Sequence, residues 1–351
     1  MKIIRVKAST EYDVIIERGA LSRAGELISS ILAPSSLCIV TDDTVNDLYA
    51  STLEDSLKAA GFSTVKFVIA HGEVSKNTKS LVDLLEFMAE NSITRADAIV
   101  GLGGGVVGDL AGFAAAVYLR GIKFIQIPTT LLAMVDSSVG GKTGVDLAAG
   151  KNLAGAFHQP SLVICDPNTL DTLTPEIFAD GCAEVIKYGI INDPALFMLT
   201  KLGIRENIEE IIAACVKNKA DIVEKDEFDT GMRQLLNLGH TVGHAIEHLS
   251  DFEISHGKAV AIGTVIAARA AVSLGLCEEA DLSEIISVLS ANALPVECDF
   301  TAEALALVAQ KDKKRAGDCI SLILPYAIGD SRIYKIKSDD LKDLIQKGLD
   351  K

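Results

Sequence analysis

The sequence predicts an α/β amino-terminal domain with a mostly parallel, Rossmann-like sheet, followed by an all-α carboxyl-terminal domain. β-rich and helical runs alternate over the first half of the chain, which is the pattern of a parallel sheet covered on both faces. From Pro175 onward the apolar period is close to 3.6, as in helices. Pro167 and Pro175 punctuate the chain between the two regions. We therefore place the domains at 1–172 and 173–351, and expect the active site in the cleft between them.

The first half supplies the strands of the predicted sheet. Two runs at 3–8 and 12–17 predict a hairpin at the start of the chain. Further short β-rich runs follow at 36–41, 65–70, 98–102, 123–128 and 162–165. Helical segments such as 81–91 separate them, so successive strands are expected to be joined by helical crossovers.

The second half supplies the predicted helices. Their apolar periodicity places them at 204–224, 233–250, 259–274, 282–291 and 302–311. A late β-like run at 319–325 predicts a short ribbon.

Composition and charge limit the function classes. The 351 residues are 49% hydrophobic and 23% charged, which is typical of a globular protein and not of a disordered chain. The formal net charge of -15 argues against nucleic acid or an anionic membrane as partner. No run approaches the roughly 20 apolar residues of a transmembrane helix, and the first residues lack a signal-peptide core, so we expect a cytoplasmic protein. Seven scattered cysteines without a CxxC pair argue against a disulfide framework.

A glycine-rich loop at 101–112, GLGGGVVGDLAG, follows a predicted strand and opens a helix. Gly103, Gly105 and Gly108 fit G-x-G-x-x-G, in which the missing side chains let a pyrophosphate approach the backbone at a helix N-terminus. The same pattern also fits a tight strand-to-helix turn that serves packing alone. The loop departs from a typical Rossmann domain, because it is far from the first strand and Arg120 lies where a ribose-binding acid is expected.

Four of the six histidines fall within a short stretch: His240, His244, His248 and His256. His240 and His244 are four residues apart on a predicted helix and share a face, so with a third ligand they could form an open zinc site. A buried or solvated histidine stripe is the alternative. Glu184 is the candidate carboxylate ligand, because it lies in an apolar run that an unpaired charge would not enter cheaply.

Basic residues within small-residue segments suggest an anion pocket in this otherwise acidic chain. The candidates are Lys142, Lys151 with Asn152, Arg120, and Arg233 with Asn237, and the alternative is that they are exposed, solubilising side chains. A dinucleotide, a divalent metal and an anionic substrate together predict a metal-dependent alcohol dehydrogenase, in which the metal lowers the pKa of the hydroxyl before hydride leaves.

The chain also resembles the 3-dehydroquinate synthase family over nearly its whole length. Seven ordered blocks carry the resemblance: 103–121, 127–146, 150–160, 183–189, 235–247, 256–263 and 312–314. The resemblance implies conversion of 3-deoxy-D-arabino-heptulosonate 7-phosphate to 3-dehydroquinate and phosphate, a step of the shikimate pathway towards aromatic amino acids. NAD is reduced and reoxidised within one turnover, so the enzyme is formally a carbon–oxygen lyase. A homodimer with one divalent metal ion, zinc or alternatively cobalt, is implied as well.

The resemblance assigns roles residue by residue. It makes Glu184, His240 and His256 the metal ligands, and it moves His244 to substrate contact and proton transfer. It places NAD against Asp42, Glu73, Lys76, Gly104, Gly105, Val106, Asp109, Thr129, Thr130, Asp136 and Thr172, with Lys142 and Lys151 at the nicotinamide end. It places the substrate against Lys142, Lys151, Asn152, Lys187, Lys219, Arg233, Asn237 and one of Lys313 and Lys314, with Arg120 reaching the phosphate site of the partner subunit.

Three positions depart from the family pattern. Lys258 replaces a usual Glu beside His256, Glu176 and Ile177 replace a usual Arg–Glu pair, and His248 replaces a small residue. None of them removes a group that the resemblance places on metal or substrate. The rival interpretations are another sugar phosphate cyclase, acting on sedoheptulose 7-phosphate or glucose 6-phosphate, and a polyol dehydrogenase that releases NADH. The number of candidate anion-binding residues favours a carboxylated substrate.

Overall fold

The computed structural model describes residues 1–313 and 319–350, except the side chains of 311–313, and the chain forms two compact units. The first comprises Met1–Leu173 and Ile212–Phe228, and the second comprises Thr174–Ile211 and Asp229–Lys351. The segment 212–228, which the sequence analysis counts with the helical domain, therefore packs with the first unit. Two of its acids contact the first unit: Glu224 pairs with Lys7, and Glu227 accepts hydrogen bonds from the backbone N–H and the hydroxyl of Ser9.

The strands of the first unit alternate with helices, as the sequence predicts. The strands are β1 (Lys2–Val6), β2 (Tyr12–Ile16), β3 (Ser36–Asp42), β4 (Ser63–Ile69), β5 (Ala98–Gly103), β6 (Lys123–Pro128), β7 (Lys142–Leu147), β8 (Gly150–Phe157) and β9 (Leu162–Cys165). Seven of them form one sheet in the order β1-β2-β9-β6-β5-β3-β4. All neighbours are parallel except β1 and β2, which form the predicted hairpin. The predicted mostly parallel sheet is thus confirmed.

Helices cover both faces of this sheet. Those that precede the division at Leu173 are α1 (Ala24–Ser29), α2 (Asp43–Val45), α3 (Ser51–Ala59), α4 (Thr78–Glu90) and α5 (Gly105–Val117). Successive residues of β3 point to opposite faces: Leu37 and Ile39 enter a core with α1 and α3, while Cys38 and Val40 enter a core with α4 and α5. Burial on both faces explains why the strands read as continuous apolar runs.

β7 and β8 form a separate antiparallel hairpin that the sequence analysis does not predict. Glycines make the pairing close: a Cβ on Gly155 would lie 2.2 Å from the carbonyl oxygen of Thr143, and one on Gly144 would lie 2.8 Å from that of Ala154. The strands contain few β-branched residues, so the hairpin depends on backbone contacts that strand propensity does not detect.

The second unit is mostly helical. The remaining helices are α6 (Pro175–Asn192), α7 (Pro194–Lys201), α8 (Ile208–Lys225), α9 (His240–Leu249), α10 (His256–Ser273), α11 (Glu279–Ala291), α12 (Ala302–Lys313) and α13 (Leu341–Leu349). All but α8, which continues from Ile212 into the first unit, belong wholly to the second. The predicted late ribbon is β10 (Cys319–Ala327), which pairs with β11 (Asp330–Lys337). No helix in the described part of the chain is both long and apolar enough to cross a membrane.

The single helix predicted over 233–250 is wrong. A 3-10 helix, Met232–Asn237, precedes Gly239, and α9 begins only at His240. Gly239 has a left-handed backbone (φ +77°), and a Cβ there would lie 2.6 Å from the carbonyl oxygen of Val260 on α10. The break thus starts α9 at His240 and lets its first turn approach α10.

Candidate active site

The glycine loop lies at the carboxyl edge of the parallel sheet, where the strand order reverses. β3 leads to β4 on one side, whereas β5 leads to β6 on the other, which is where open α/β sheets bind ligands. β5 ends at Gly103 and α5 begins at Gly105, with Gly104 between them in extended conformation. A Cβ on Gly104 would lie 3.2 Å from the methyl carbon of Thr130. The bare backbone and the N-terminus of α5 are therefore suited to a pyrophosphate, and Val106 follows in the first turn.

Thr129 and Thr130 follow β6 and flank this loop. The backbone N–H of Thr129 donates to the carbonyl oxygen of Gly103 at 3.0 Å. Its hydroxyl is buried, and none of the described residues gives it a hydrogen-bond partner. A buried hydroxyl without a partner costs free energy, so this atom fits a site that a polar ligand completes. Thr130 accepts a hydrogen bond from the N–H of Ala133 at 3.2 Å.

Lys76 joins two predicted cofactor-binding acids. Its Nζ lies 3.1 Å from a carboxylate oxygen of Glu73 and 3.1 Å from one of Asp109, which is on α5. Burial raises the pKa of Asp109 to about 6, although the charge of Lys76 acts in the opposite direction. Burial alone would lower the pKa of Lys76, but the charges of Asp109 and Glu73 raise it overall. The three residues form a half-buried charged cluster close to the glycine loop.

The remaining cofactor candidates are held by local contacts. Asp42 ends β3 and caps α2 by accepting a hydrogen bond from the N–H of Val45 at 2.9 Å, and burial raises its pKa. Lys219 on α8 is buried, with Nζ 3.0 Å from a carboxylate oxygen of Asp136. The hydroxyl of Thr172 lies 2.6 Å from that of Tyr49. Asp42, the glycine loop and Thr129 thus meet at the ends of three adjacent strands, while Thr172 lies in a 3-10 helix.

Three predicted anion-binding residues belong to the β7–β8 hairpin, with Lys142 opposite Phe157 at one end and Lys151 and Asn152 near the other. Lys142 begins β7, Lys151 and Asn152 lie in β8, and all three are exposed. Asn152 has a left-handed backbone (φ +56°), and its N–H donates to Asp146 at 2.7 Å. Arg120 is also exposed, in a left-handed turn after α5 (φ +66°). The hairpin therefore carries Lys142, Lys151 and Asn152, whereas Arg120 lies on a separate turn.

Glu184, His240 and His256 converge in the second unit. Glu184 comes from the middle of α6, whereas His240 and His256 are the first residues of α9 and α10. The Nε2 atom of each histidine lies 3.8 Å from Oε1 of Glu184. One carboxylate oxygen and two imidazole nitrogens within 4.8 Å of one another form a donor set suited to a divalent metal. Three protein ligands would leave a coordination position for substrate or water.

The hydrogen bonds around the cluster fit a bound cation. Nδ1 of His240 lies 3.0 Å from the carbonyl oxygen of Leu238, which can only accept, so Nε2 keeps its lone pair. Burial lowers the pKa of His240 well below its ordinary value, which favours the neutral ligand form. The carboxylate of Glu184 is 1% exposed and pairs with Lys187, yet no described residue donates it a hydrogen bond of ordinary geometry. A buried acid with two facing imidazole nitrogens is what a metal ion would complete.

Glycines let the ligand-bearing helices meet. A Cβ on Gly257 would lie 2.4 Å from the Cα of Asp180 on α6, and one on Gly263 would lie 2.1 Å from the carbonyl oxygen of Gly239. Only glycine permits these backbone approaches, so α10 can contact both α6 and the start of α9. This local sequence therefore sets the spacing of the three ligand atoms.

The other predicted residues of this unit lie at varied depths. His244 is exposed on α9, with its ring centroid 5.4 Å from that of His240 and 6.0 Å from that of His256. Lys187 and Arg233 are buried, while Asn237 is exposed. His248 is exposed and makes an edge-to-face contact with Phe252 instead of joining the cluster.

Two acids near the cluster are not predicted from the sequence. Glu247 is buried, and its Oε2 lies 3.3 Å from Nδ1 of His256. Asp180 accepts a hydrogen bond of 2.6 Å from the hydroxyl of Ser255, the residue before α10. Glu247 follows His240 by seven residues, which is two helical turns, and this spacing was the available signal for a shared face.

Five further residues named from the sequence lie outside the cluster or the described region. Lys314 and the side chain of Lys313 lie outside the described residues. Glu176 and Ile177 are exposed in the first turn of α6, where the backbone lowers the pKa of Glu176. Lys258 is half-buried beside His256.

The fold is that of a class of synthases solved with a dinucleotide and a divalent metal. A 2-deoxy-scyllo-inosose synthase complexed with carbaglucose-6-phosphate, NAD+ and Co2+ is similar with a TM-score of 0.89 and 25% identity, covering 99% of this chain and 100% of that one. A 2-epi-5-epi-valiolone synthase from Streptomyces hygroscopicus subsp. jinggangensis with NAD+ and Zn2+ bound has a TM-score of 0.86 and 27% identity, covering 99% of both chains. A glycerol dehydrogenase from Schizosaccharomyces pombe, at 17% identity and a TM-score of 0.68, shares the fold; it covers 96% of this chain and 88% of that one.

The sequence relatives are more specific. The family models for the N-terminal and C-terminal parts of 3-dehydroquinate synthase match residues 66–180 and 181–315. 3-Dehydroquinate synthases from Enterococcus faecalis and Clostridium acetobutylicum are 42% and 43% identical, over 99% and 97% of this chain and 99% and 98% of their own. The chain belongs to the 3-dehydroquinate synthase family, and the resemblance predicted from the sequence blocks is confirmed.

Proposed function

We propose that the chain converts 3-deoxy-D-arabino-heptulosonate 7-phosphate to 3-dehydroquinate and phosphate, with NAD and one divalent metal ion. The observation that carries the proposal is the identity of 42–43% to 3-dehydroquinate synthases over almost the whole chain. The local geometry supports it independently, because the glycine loop suits a dinucleotide and the Glu–His–His cluster suits a metal.

We expect NAD on the first unit, with its pyrophosphate against Gly104, Gly105 and Val106. The hydroxyl of Thr129 would form a hydrogen bond with the cofactor. The cluster of Lys76, Glu73 and Asp109 would order the glycine loop around the cofactor. Bound there, NAD would supply reversible hydride exchange at C5 of the substrate, and the net reaction would be redox-neutral.

We expect zinc on Glu184, His240 and His256, since two imidazole nitrogens and one carboxylate oxygen are typical zinc ligands. When bound, the ion orients the substrate hydroxyls and lowers the pKa of the one that is oxidised. The buried ion pair of Lys187 with Glu184 places a cation next to this site, where it could balance negative charge that develops on a substrate oxygen.

The remaining roles follow from charge and exposure. Lys142, Lys151 and Asn152 on the hairpin, with Lys219, Arg233 and Asn237, would hold the carboxylate and phosphate of the substrate. His244 is exposed next to the metal ligands, so it could transfer protons without being a ligand itself. Arg120 would reach the phosphate site of a second subunit, so we propose a homodimer that light scattering can test.

The substrate is tested by phosphate release. The purified protein is assayed with 3-deoxy-D-arabino-heptulosonate 7-phosphate and, as the matched comparison, sedoheptulose 7-phosphate, which lacks the carboxylate. We expect phosphate release from the first substrate and little from the second. Equal or faster release from sedoheptulose 7-phosphate would assign the chain to another sugar phosphate cyclase activity.

A further inference from the structure

We propose that Glu247 is a positioning residue for His256, holding its imidazole in the tautomer and orientation that present Nε2 to the metal. The proposal rests on the proposed function, because it needs a metal at Glu184, His240 and His256. Neither the family comparison nor the sequence analysis assigns a role to Glu247. It is not a catalytic residue in this account, since it acts only through His256.

The contact itself fixes the direction of the hydrogen bond. Oε2 of Glu247 lies 3.3 Å from Nδ1 of His256, while Nε2 of the same ring lies 3.8 Å from Oε1 of Glu184. An ionised carboxylate can only accept, so Nδ1 carries the proton and Nε2 keeps its lone pair. The ring is thus held between two acids, one on each of its nitrogens, and only Nε2 faces the other metal ligands.

The two histidines differ in the group that accepts a hydrogen bond from Nδ1. Nδ1 of His240 donates to the carbonyl oxygen of Leu238, two residues earlier in the chain. His256 is the first residue of α10 and instead uses an acid from α9. A carboxylate acceptor makes an imidazole a stronger metal donor than a carbonyl does, as in carboxylate–histidine–zinc arrangements.

The burial of Glu247 supports this role. The residue is 6% exposed, and burying a carboxylate is costly unless a positive charge compensates it. A divalent ion next to His256 would supply that positive charge, and its two charges would be balanced by the carboxylates of Glu184 and Glu247. The burial of Glu247 therefore fits a place beside the proposed metal site.

A second interpretation makes Glu247 a ligand. Together with His244 and His256 it also brings three ligand atoms within 4.8 Å of one another. That arrangement would use Nδ1 of His256 for a second ion, so it excludes the hydrogen bond described above. The number of ions bound per chain distinguishes the two interpretations.

The experiment measures zinc affinity and cobalt spectra on metal-stripped full-length protein. Variants Glu247→Gln and Glu247→Ala are compared with Glu184→Gln and with Glu253→Gln, an exposed acid in the segment that joins α9 to α10. Zinc affinity is measured by competition with a chromophoric chelator, and Co2+ is titrated while its visible spectrum is recorded. Thermal unfolding of each metal-free variant controls for folding.

We expect Glu247→Ala to lower zinc affinity by about 10–100-fold, with one ion still bound per chain. Glu247→Gln should lose less, because its amide oxygen can still accept from Nδ1, but it should shift the Co2+ spectrum without changing metal-free stability. Glu253→Gln should match the wild type. A merely structural Glu247 would change the unfolding temperature and leave the spectrum of Glu247→Gln unchanged.

Three results would overturn the proposal. Wild-type affinity in both Glu247 variants, with affinity lost in Glu184→Gln, would remove the role of Glu247 and leave the metal site intact. Two ions in the wild type, with one lost in Glu247→Ala, would make Glu247 a ligand. Wild-type affinity in Glu184→Gln would show that the metal binds elsewhere, and the proposed metal site would fail with it.

Discussion

Gly257 is the position where α10 meets the backbone of α6, and its substitution tests how the proposed metal ligands are spaced. A Cβ on Gly257 would lie 2.4 Å from both the Cα and the carbonyl oxygen of Asp180, whereas ordinary contact begins at 3.4 Å. Both partners are backbone, so neither can rotate away. Gly257→Ala therefore requires α10 to move by about 1 Å from α6, a form of overpacking that typically costs about 1–3 kcal/mol.

That displacement acts on the adjacent proposed metal ligand. His256 precedes Gly257, and its Nε2 lies 3.8 Å from the carboxylate of Glu184 on α6. Zinc–ligand distances tolerate only about 0.2 Å, so a shift of about 1 Å should lower zinc affinity tenfold or more. The assay is zinc binding by chelator competition, combined with urea unfolding of the metal-free protein.

Gly348→Ala is the matched control. Its Cβ would lie 2.3 Å from the carbonyl oxygen of Ile266, which is also on α10 but nearly three turns from His256. We expect a comparable loss of stability and unchanged zinc affinity. Wild-type zinc affinity in a folded Gly257→Ala variant would refute the reasoning, because the ligand spacing would then not depend on this helix contact.

Three further predictions concern the metal, the hairpin and one acid. Chelation and His240→Ala should each abolish turnover, and full activity after either would contradict metal dependence. Lys142→Ala should reduce turnover more than it reduces NAD affinity, since Lys142 lies on the hairpin and not in the glycine loop; an equal loss of NAD affinity would contradict a role in substrate binding. Asp109 has a folded-state pKa of about 6, whereas its ordinary pKa is 3.8, so between these pH values the carboxyl is protonated in the folded state and ionised in the unfolded state. The free energy of unfolding should therefore fall as the pH rises from 3.8 to about 6, by at most about 3 kcal/mol. Urea unfolding of Asp109→Asn between pH 4 and about 6.5 should show a shallower dependence, and an unchanged profile would count against it.

The sequence predicts the sheet well because its strands are buried on both faces. Short apolar runs such as 36–41 and 123–128 then stand out, and they fall on β3 and β6. The glycine loop could be recognised because it directly follows another such apolar run, the one that forms β5. The periodicity of the second half likewise indicates helices, although it cannot show which unit a helix packs with. Residues 212–228 were assigned to the helical domain because they are helical and follow Pro175, but they pack with the first unit.

What the sequence did not predict depends on backbone contacts and buried charge. The β7–β8 hairpin is held by close glycine approaches, and the break before α9 depends on a left-handed Gly239. In the sequence, Glu247 does not differ from any other acid of an amphipathic helix, and only the structure shows its contact with His256. The i, i+4 pair of His240 and His244 suggested two ligands, whereas the cluster around Glu184 takes its second histidine from the start of α10.

The central claim is that this chain uses NAD as a recycled cofactor while phosphate is lost from its substrate. The most direct measurement follows phosphate and NADH together over many turnovers, with the protein at a small fraction of the substrate concentration. The account predicts one phosphate per substrate consumed and no accumulation of NADH. Accumulation of NADH in proportion to substrate, without phosphate release, would contradict it and make the chain a dehydrogenase.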